Sequence, residues 1–515
     1  MTVAAAKAAF ADPNLAAYNE GSANQLTILT AGATAQDPGV ERFFQLNQAN
    51  NGLCQDGTLF MFRQSPDANG DIPNRLFFCT GNSSIAAVAG KTLAFFKGST
   101  GGSGNGVGPL IRPASIQVPL WLVSTGGGSM TCTGLITTFP AAGVSASYTR
   151  KDGCVNDTTL TSAARPLDGG FSDVEPARFA TNFTPNLSTA EIATINSQQA
   201  AAVIFGVPVS LNIRNKLQAL TFGAADACVG SETLACQPSL TSKQLAALYS
   251  RNGLYQNWTA IKSRVVAGQD ANSINGALAA PTVFICRRSN TSGTQATFQT
   301  HFFKQNCGIA NSAVFAPINT ATPQVIPSGG SPGVISCLED RHNANQGGIG
   351  ILSTEFTPGP GSLWRFIKVD GAPPCLLDAV RSNYSLIGEA TMQWPNGVSA
   401  TKLPVLQAVR SRLQSAAAVQ DVNSLTPQLE MCKGNAGAGI RDRGFGALLA
   451  PFATNAGTAP VSPFCANASC GPAASDVQQH PVLLSTHNTG GPASCSAFRD
   501  LGNTEVTENT QASEQ

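Results

Sequence analysis

The segment from Arg288 to Thr294 (RSNTSGT) has the residue types of an anion-binding loop. It lies between a predicted strand, 282–286, and a predicted helix that carries Phe298 and Phe302 on one face. Backbone N–H groups and hydroxyls at a helix N-terminus bind anions, the helix dipole favours negative charge there, and an arginine adds a two-pronged donor. A Ser-Gly-Thr capping turn beside a surface arginine is the alternative, and local spacing does not separate the two.

Strands and helices alternate along the chain, which favours an α/β fold with mostly parallel sheets. Short apolar strands at 25–30 and 91–97 each run into a loop of small residues. The continuously apolar segment 201–213 predicts a strand buried on both faces. A helix that begins at Thr241 or Ser242 follows it, because apolar residues then recur at helical spacing.

Several patches occur in the order and spacing of one protein family. Around the Arg288 loop lie 206–212 (GVPVSLN), 240–249 (LTSKQLAALY) with Asn257-Trp258, and 348–350 (GIG). Upstream, three further patches match the anion loops of that family, namely Gly32-Ala33-Thr34, Gly98 to Ser103, and Asp168 to Asp173. The chain therefore resembles, over about residues 26–356, the phosphate-binding proteins of ABC phosphate transporters.

The resemblance implies that one set of residues contacts the ligand: Thr34, Ser99, Ser103, Asp173, Arg288, Ser292, Gly293 and Thr294. Ser99 is preferred to Ser103 as the serine of the second loop. Asp173 is expected to set selectivity. A carboxylate repels a fully ionised anion such as sulfate, but accepts a hydrogen bond from the remaining proton of phosphate.

Three positions depart from the family pattern. Ala35 stands where the family has phenylalanine, Asn290 where it has an acidic residue two after the arginine, and Thr291 where it has glycine. Without the acidic residue, we expect Arg288 to lose an orienting ion pair. Thr291 is expected to alter the backbone path of the loop.

The resemblance also implies two α/β lobes with the type 2 fold of periplasmic binding proteins, mostly parallel sheets flanked by helices, and disulfide-rich insertions. We expect residues 1–205 and 345–400 to form lobe one, with an insertion at 104–164. Residues 206–344 are expected to form lobe two, and 401–515 a C-terminal helix with a Pro/Gly/Cys-rich extension whose last residues fray.

The 14 cysteines are scattered and form no CxxC motif, so disulfides are favoured over a zinc site. Cys228 with Cys236, and Cys465 with Cys470, are spaced to staple local loops. Disulfides indicate a periplasmic or extracellular location. The first ten residues lack the apolar core of a secretion signal, so we expect this chain to carry none.

Composition argues against several classes of function. A net charge of +1 with only 12% charged residues excludes the electrostatic footprint of a nucleic-acid-binding protein. The longest apolar runs are too short to span a membrane. The four histidines lack ligand spacing and there is no nucleophile elbow, so we expect neither a metal, nor a cofactor, nor an enzyme.

The expected function is therefore that of an extracytoplasmic solute-binding protein, which captures an oxyanion, inorganic phosphate above all, in the cleft between its lobes. A membrane transporter would be its partner. The alternative is an extracellular structural protein that self-associates on the same scaffold, since low charge permits close packing of subunits.

Overall fold

The computed structural model describes residues 23–67, 71–122, 130–156, 158–161, 165–250, 255–303, 324–380, 383–414, 429–432, 445–449 and 482–484. Their strands are β1 Gln25–Gly32, β2 Leu59–Gln64, β3 Asn74–Thr80, β4 Thr92–Gly98, β5 Pro119–Leu122, β6 Met130–Cys132, β7 Ile136–Phe139, β8 Tyr148–Asn156, β9 Thr158–Thr161, β10 Gly169–Ser172, β11 Ile195–Ser210, β12 Ser239–Leu240, β13 Ala280–Arg288, β14 Gln324–Ser328, β15 Gln346–Gly350, β16 Leu352–Ser353, β17 Trp364–Val369, β18 Ile387–Pro395, β19 Phe445–Leu449 and β20 Val482–Leu484. Their α-helices are α1 Asp37–Gln45, α2 Gly108–Ile111, α3 Thr189–Ile192, α4 Leu211–Phe222, α5 Ser242–Tyr249, α6 Gly293–Phe303, α7 Ser331–Asn343, α8 Leu376–Val380 and α9 Leu403–Gln414.

The first sheet has the order β7-β8-β2-β3-β4-β1-β10-β18-β11-β19-β20, and β6 also pairs with β8. Its central strand β1 is parallel to both β4 and β10, with Ala31 opposite Gly98 and Gly32 opposite Phe171. The carboxyl ends of parallel strands meet at one edge of a sheet. The loops that follow these three strands, which carry Thr34, Ser103 and Asp173, therefore converge.

Four aromatic side chains pack together near the strands from which these loops leave. The rings of Phe44 and Phe77 stack with their centroids 4.2 Å apart, and Phe95 lies between Phe44 and Phe171. All four side chains are buried. Such packing fixes the strands from which the three loops leave.

The second sheet has the order β12-β17-β11-β15-β13-β14. β13 is parallel to both β14 and β15, and Arg288 at the end of β13 lies opposite Ser328 at the end of β14. Each of these two strands continues through a loop into a helix, α6 after β13 and α7 after β14. The N-termini of α6 and α7 therefore lie at the same edge of the second sheet.

Strand β11 belongs to both sheets. Its first part, 195–204, pairs with β18, Phe205 and Gly206 pair with β16, and 207–210 pair with β17. Nearly every residue from 199 onward is buried, as the continuous apolar run predicts. The chain thus crosses from one lobe to the other within a single strand.

The two-lobed α/β organisation expected from the sequence is confirmed, but three details differ. The sheets are mixed rather than mostly parallel, because β3 forms antiparallel hairpins with β2 and β4, and β18 runs antiparallel to β10 and β11. Strand β11 ends at Ser210 instead of 213, because the N–H of Asn212 donates to His342 Nδ1 (3.1 Å) and helix α4 begins.

The third difference is the point at which the chain returns to the first sheet. The sequence suggested residue 345, yet β15, β16 and β17 pair within the second sheet or with the second half of β11. β18 is the first strand after β11 to rejoin the first sheet, and β19 and β20 follow it. The point of return depends on the pairing of strands that are distant in the sequence, so no local sequence pattern predicts it.

Part of the expected insertion at 104–164 extends the first sheet beyond β2. Strands β6 and β7 both pair with β8, and the disulfide Cys132–Cys154 links β6 to β8. Strands β5 and β9 form a separate two-stranded sheet. Strands β6, β7 and β8 are thus an outgrowth at one edge of the first sheet, whereas the start of the insertion lies at the loops after β1 and β10, where Gly106 lies against Gly32 and Phe171.

The ten cysteines in the described part of the chain form five disulfides: Cys54–Cys79, Cys132–Cys154, Cys228–Cys236, Cys286–Cys337 and Cys375–Cys432. The predicted Cys228–Cys236 pair is confirmed. Cys465, Cys470 and the expected frayed end lie outside the described residues. No helix in the portion that the structure covers is long and apolar enough to cross a membrane.

Removing the disulfide Cys286–Cys337, which joins β13 to α7, is expected to destabilise the protein more than removing Cys228–Cys236. The two bonds close loops with sequence separations of 51 and 8 residues, so loop-closure entropy predicts losses of about 4 and about 2.5 kcal/mol. Urea unfolding of the two Cys→Ser double variants measures both values. Equal losses would contradict the prediction.

Candidate functional site

The candidate site lies where the edges of the two sheets face each other. The loops after β1, β4 and β10 reach it from lobe one, and Arg288 with the N-termini of α6 and α7 reaches it from lobe two. Hydrogen bonds between these groups cross the gap between the lobes. The two lobes are therefore closed on each other at this site.

Arg288 is the centre of the site and is only 1% exposed. Its Nη1 donates to Ser331 Oγ (2.8 Å) at the start of α7, and its Nη2 donates across the cleft to Thr34 Oγ1 (3.1 Å). Its Nε has no hydrogen-bond partner among the described residues. This burial contradicts the alternative interpretation of the segment, a capping turn beside a surface arginine.

The N-terminus of α6 lies directly against the second and third loops. A Cβ at Gly293 would lie 2.3 Å from Ser103 Oγ and 2.7 Å from Asp173 Cβ, so only glycine permits this approach. Ser292 Oγ accepts from the Gln295 N–H (3.4 Å), which is the expected helix cap. Thr294 Oγ1 is buried and lacks a partner within the described ranges.

Asp173 is buried beside this helix end. Its backbone N–H donates to Ser103 Oγ (3.0 Å), and its Oδ1 accepts from Gln36 Nε2 (3.3 Å). Burial raises the pKa of Asp173 to about 6, although the bonds from Gln36 and Ser103 and the charge of Arg288 oppose that rise. At neutral pH the residue is mostly a carboxylate.

Two glycines bring the backbones of the lobes into contact. The Gly104 N–H donates to the Thr291 carbonyl (2.8 Å), and a Cβ at Gly102 would lie 3.2 Å from Ser292 Cα. Thr291, which replaces the family glycine, therefore takes part in the contact between the lobes.

The structure brings seven of the eight predicted residues together and places the remaining one differently. Ser99 Oγ lies behind the loops, where it accepts from Arg75 Nη1 (3.2 Å) and Lys97 Nζ (3.4 Å). Ser103, the less favoured of the two serines, lies beside Asp173 and Gly293. Ser103 therefore lies at the candidate site, whereas Ser99, the serine preferred from the sequence, does not.

The departures from the family pattern have local explanations. Asn290 Oδ1 accepts from Arg287 Nη2, not from Arg288. Arg288 is instead oriented by Thr34 and Ser331, and interacts electrostatically with Asp71, Asp173 and Asp37. Ala35 is completely buried in the core of lobe one.

Asp71 reaches the site from the segment that precedes β3. Its carboxylate lies so close to Gly330, the residue before α7, that a Cβ there would lie 1.2 Å from Asp71 Oδ2. Burial raises the pKa of Asp71 to about 6, Asp67 and Asp37 add to the rise, and Arg288 opposes it. A second carboxylate with a raised pKa thus lies near Arg288.

Sequence reasoning missed several residues that shape the site: Gln36, Asp71, Lys97, Gln295 and Ser331. The one available signal was at 328–331, where Ser-Gly-Gly-Ser follows a strand and precedes a helix beginning with proline at its second position. That pattern resembles the Arg288 loop. In the parts of the chain that the structure describes, no cluster of histidine, cysteine and acidic residues could hold a metal ion.

Comparison with known proteins finds similarity only at the level of structure, since no family model and no curated protein matches the chain. The chain is similar to a putative phosphate ABC transporter substrate-binding protein from Clostridium perfringens, at 12% identity and a TM-score of 0.39, covering 78% of this chain and 97% of that one. It is also similar to an ancestral soluble variant of the human phosphate-binding protein, at 13% identity and a TM-score of 0.39, covering 80% and 93%.

Gly293→Ala is expected to destabilise the protein by about 1–3 kcal/mol, because the added methyl group overlaps Ser103 and Asp173. Gly361→Ala is the matched control, since nothing lies within 4 Å of a Cβ there. Denaturant unfolding of both variants measures the difference. Equal stability of the two would mean that the α6 terminus does not lie against the second and third loops.

Proposed function

We propose that this protein captures a tetrahedral oxyanion, inorganic phosphate, between its lobes. The observation that carries the proposal is a combination of three features. The Nε of the buried Arg288 guanidinium and the buried Thr294 hydroxyl both lack hydrogen-bond partners among the residues that the structure describes, and the N-terminus of α6 lies beside Asp173. Buried donors without partners are costly in a folded protein. An anion bound among them would satisfy these groups.

Each group has a distinct role in the proposal. Arg288 and the backbone N–H groups at the start of α6 donate to the oxygens of the ligand, with the hydroxyls of Thr34, Ser292 and Thr294 as further donors. Ser103, rather than Ser99, supplies the hydroxyl of the second loop. Asp173 accepts a hydrogen bond from the remaining proton of phosphate, and its charge disfavours sulfate, which has no such proton.

The proposed biological role is that of an extracytoplasmic solute-binding protein with a membrane transporter as its partner. Five disulfides among the described residues support an oxidising compartment. The alternative is a structural protein that self-associates. Light scattering of the purified chain distinguishes it from a solute-binding protein, since stable monomers would exclude the structural protein.

Isothermal titration is expected to show one phosphate site of about micromolar affinity or tighter in wild-type protein first stripped of ligand under denaturant. Arg288→Ala should weaken phosphate and sulfate alike by about 10- to 100-fold, since it removes a charged donor without reading the proton. Arg214→Ala is the control, because Arg214 is equally buried and pairs with Glu232 (3.1 Å). Wild-type protein that gives no heat and no shift in melting temperature at millimolar phosphate would overturn the proposal.

Asp173→Asn is expected to reduce discrimination between phosphate and sulfate by about 1–3 kcal/mol. The amide has the same shape, but no longer repels sulfate. Since the pKa of Asp173 is raised to about 6, the wild-type residue is a carboxylate above that pH and a neutral acid below it. Sulfate affinity of the wild type should therefore rise as the pH falls through about 6.

In Asp173→Asn, sulfate affinity should depend less on pH than in the wild type, and sulfate should already bind more tightly at neutral pH. Asp71 has its pKa raised to about the same value, so Asp71→Asn identifies its share of the pH dependence. An unchanged ratio of the two anion affinities in Asp173→Asn would mean that another residue discriminates between them.

A further inference from the structure

Lys97, the penultimate residue of β4, is completely buried beneath the candidate site. Its ammonium nitrogen contacts five oxygen atoms, which are Gly32 O (3.0 Å), Ala33 O (3.2 Å), Gly98 O (3.3 Å), Ser99 Oγ (3.4 Å) and Asp37 Oδ1 (2.8 Å). All of these oxygens are acceptors in this arrangement. A charged ammonium, which has three donors and no acceptor, fits such surroundings.

These oxygens come from three separate elements. Gly32 ends β1 and Ala33 begins the first loop, Gly98 ends β4 and Ser99 begins the second loop, and Asp37 is the first residue of α1. One ammonium therefore cross-links both loops and the helix that follows the first. The parallel pairing of β1 with β4, in which Thr30 lies opposite Lys97, brings the elements within its reach.

The cross-link acts on the residue that holds Arg288. Because a peptide group is planar and trans, turning the Ala33 carbonyl toward Lys97 turns the Thr34 N–H to the opposite side of the chain. The Thr34 hydroxyl accepts from Arg288 Nη2 (3.1 Å) across the cleft. The position of Lys97 is thus transmitted through Ala33 and Thr34 to the guanidinium.

Lys97 also lies at one end of a row of side chains with alternating positive and negative charge. Asp37 pairs with Lys97 and with Arg75 (2.7 Å), and Glu41 pairs with Arg75 (2.6 Å) and with Arg63. Three cations thus alternate with two carboxylates, and Asp71 and Asp173 interact electrostatically with Arg75 and Lys97, respectively. The end of this row that lies under the loops is the ammonium of Lys97.

We propose that Lys97 is a positioning residue of the anion site, which holds the first and second loops in their binding geometry and places a positive charge beneath them. The inference rests on the proposed function, since the loops matter only if they bind the anion. Pre-organised binding groups avoid the cost of ordering the loops when the ligand arrives.

A buried lysine can also be merely structural, and the chain contains a matched example. Lys216 on α4 is buried and donates to the carbonyls of Asn272 (3.3 Å), Ile274 (2.5 Å) and Gly276. Its acceptors lie in a loop of lobe two that contributes nothing to the candidate site. Loss of either ammonium leaves buried carbonyls without a donor, so both losses are expected to reduce stability.

The test compares Lys97→Met with Lys216→Met by isothermal titration with inorganic phosphate. Methionine has a similar length but no donor and no charge. Lys97→Met should weaken phosphate binding by at least about tenfold, a typical effect of losing a group that orients a ligand-binding residue. Lys216→Met should stay within about twofold of the wild type, although it also lowers the melting temperature.

Hydrogen exchange without phosphate supplies a second readout. Amides of 31–36 and 98–106 should exchange faster in Lys97→Met, whereas Lys216→Met should affect 270–278. If Lys97→Met folds poorly, the double variant Lys97→Met/Asp37→Asn removes both charges of one ion pair and is used instead. The same loss of affinity and the same faster exchange are expected from it.

The outcomes separate the two proposals. Wild-type protein that does not bind phosphate would overturn the proposed function, and the role of Lys97 with it. Wild-type protein that binds phosphate, together with a Lys97 variant that binds as tightly as Lys216→Met, would overturn the role of Lys97 alone.

Discussion

Burying a guanidinium costs free energy unless its charge and its N–H groups find partners, and Arg288 imposes that requirement on both lobes. Lobe two contributes Ser331, at the start of the helix after the neighbouring strand, and lobe one contributes Thr34. The contact with Ser331 requires that β13 and β14 be adjacent, and the contact with Thr34 requires that the lobes be closed. The closed cleft is therefore the state in which Arg288 makes both of these hydrogen bonds, although its Nε has no partner among the described residues.

The charges around this guanidinium are arranged so that each lies next to its opposite. Asp37 stands between Lys97 and Arg75, and Glu41 stands between Arg75 and Arg63. Asp71 and Asp173 both interact electrostatically with Arg288, and both have raised pKa values because burial disfavours their charge. Charges of opposite sign are thus neighbours here, although only 12% of the residues in the chain are charged.

Sequence reasoning reached the parts of the site that are local in the chain. The strand, loop and helix around Arg288 follow from an apolar run, a helix cap and a helical repeat, so their placement could be predicted. The choice between Ser99 and Ser103 could not, because Gly101 and Gly102, with φ of 79° and 68°, turn the chain between them. Ser331 joins the site only through the register of β13 with β14. Contacts of that kind depend on pairing between distant segments, as does the return of the chain to the first sheet.

The sharing of β11 between the two sheets has a consequence for how the protein unfolds. Residues 195–204 are hydrogen-bonded in the first sheet and 207–210 in the second, with no linker between them. If one sheet melted alone, the part of β11 left in the other sheet would lose the buried continuation with which it forms one strand. Lobes joined by a flexible linker can melt one after the other, whereas these two share their central strand. A chain of two lobes is therefore expected to lose both in one cooperative transition, with coincident signals from probes in either lobe.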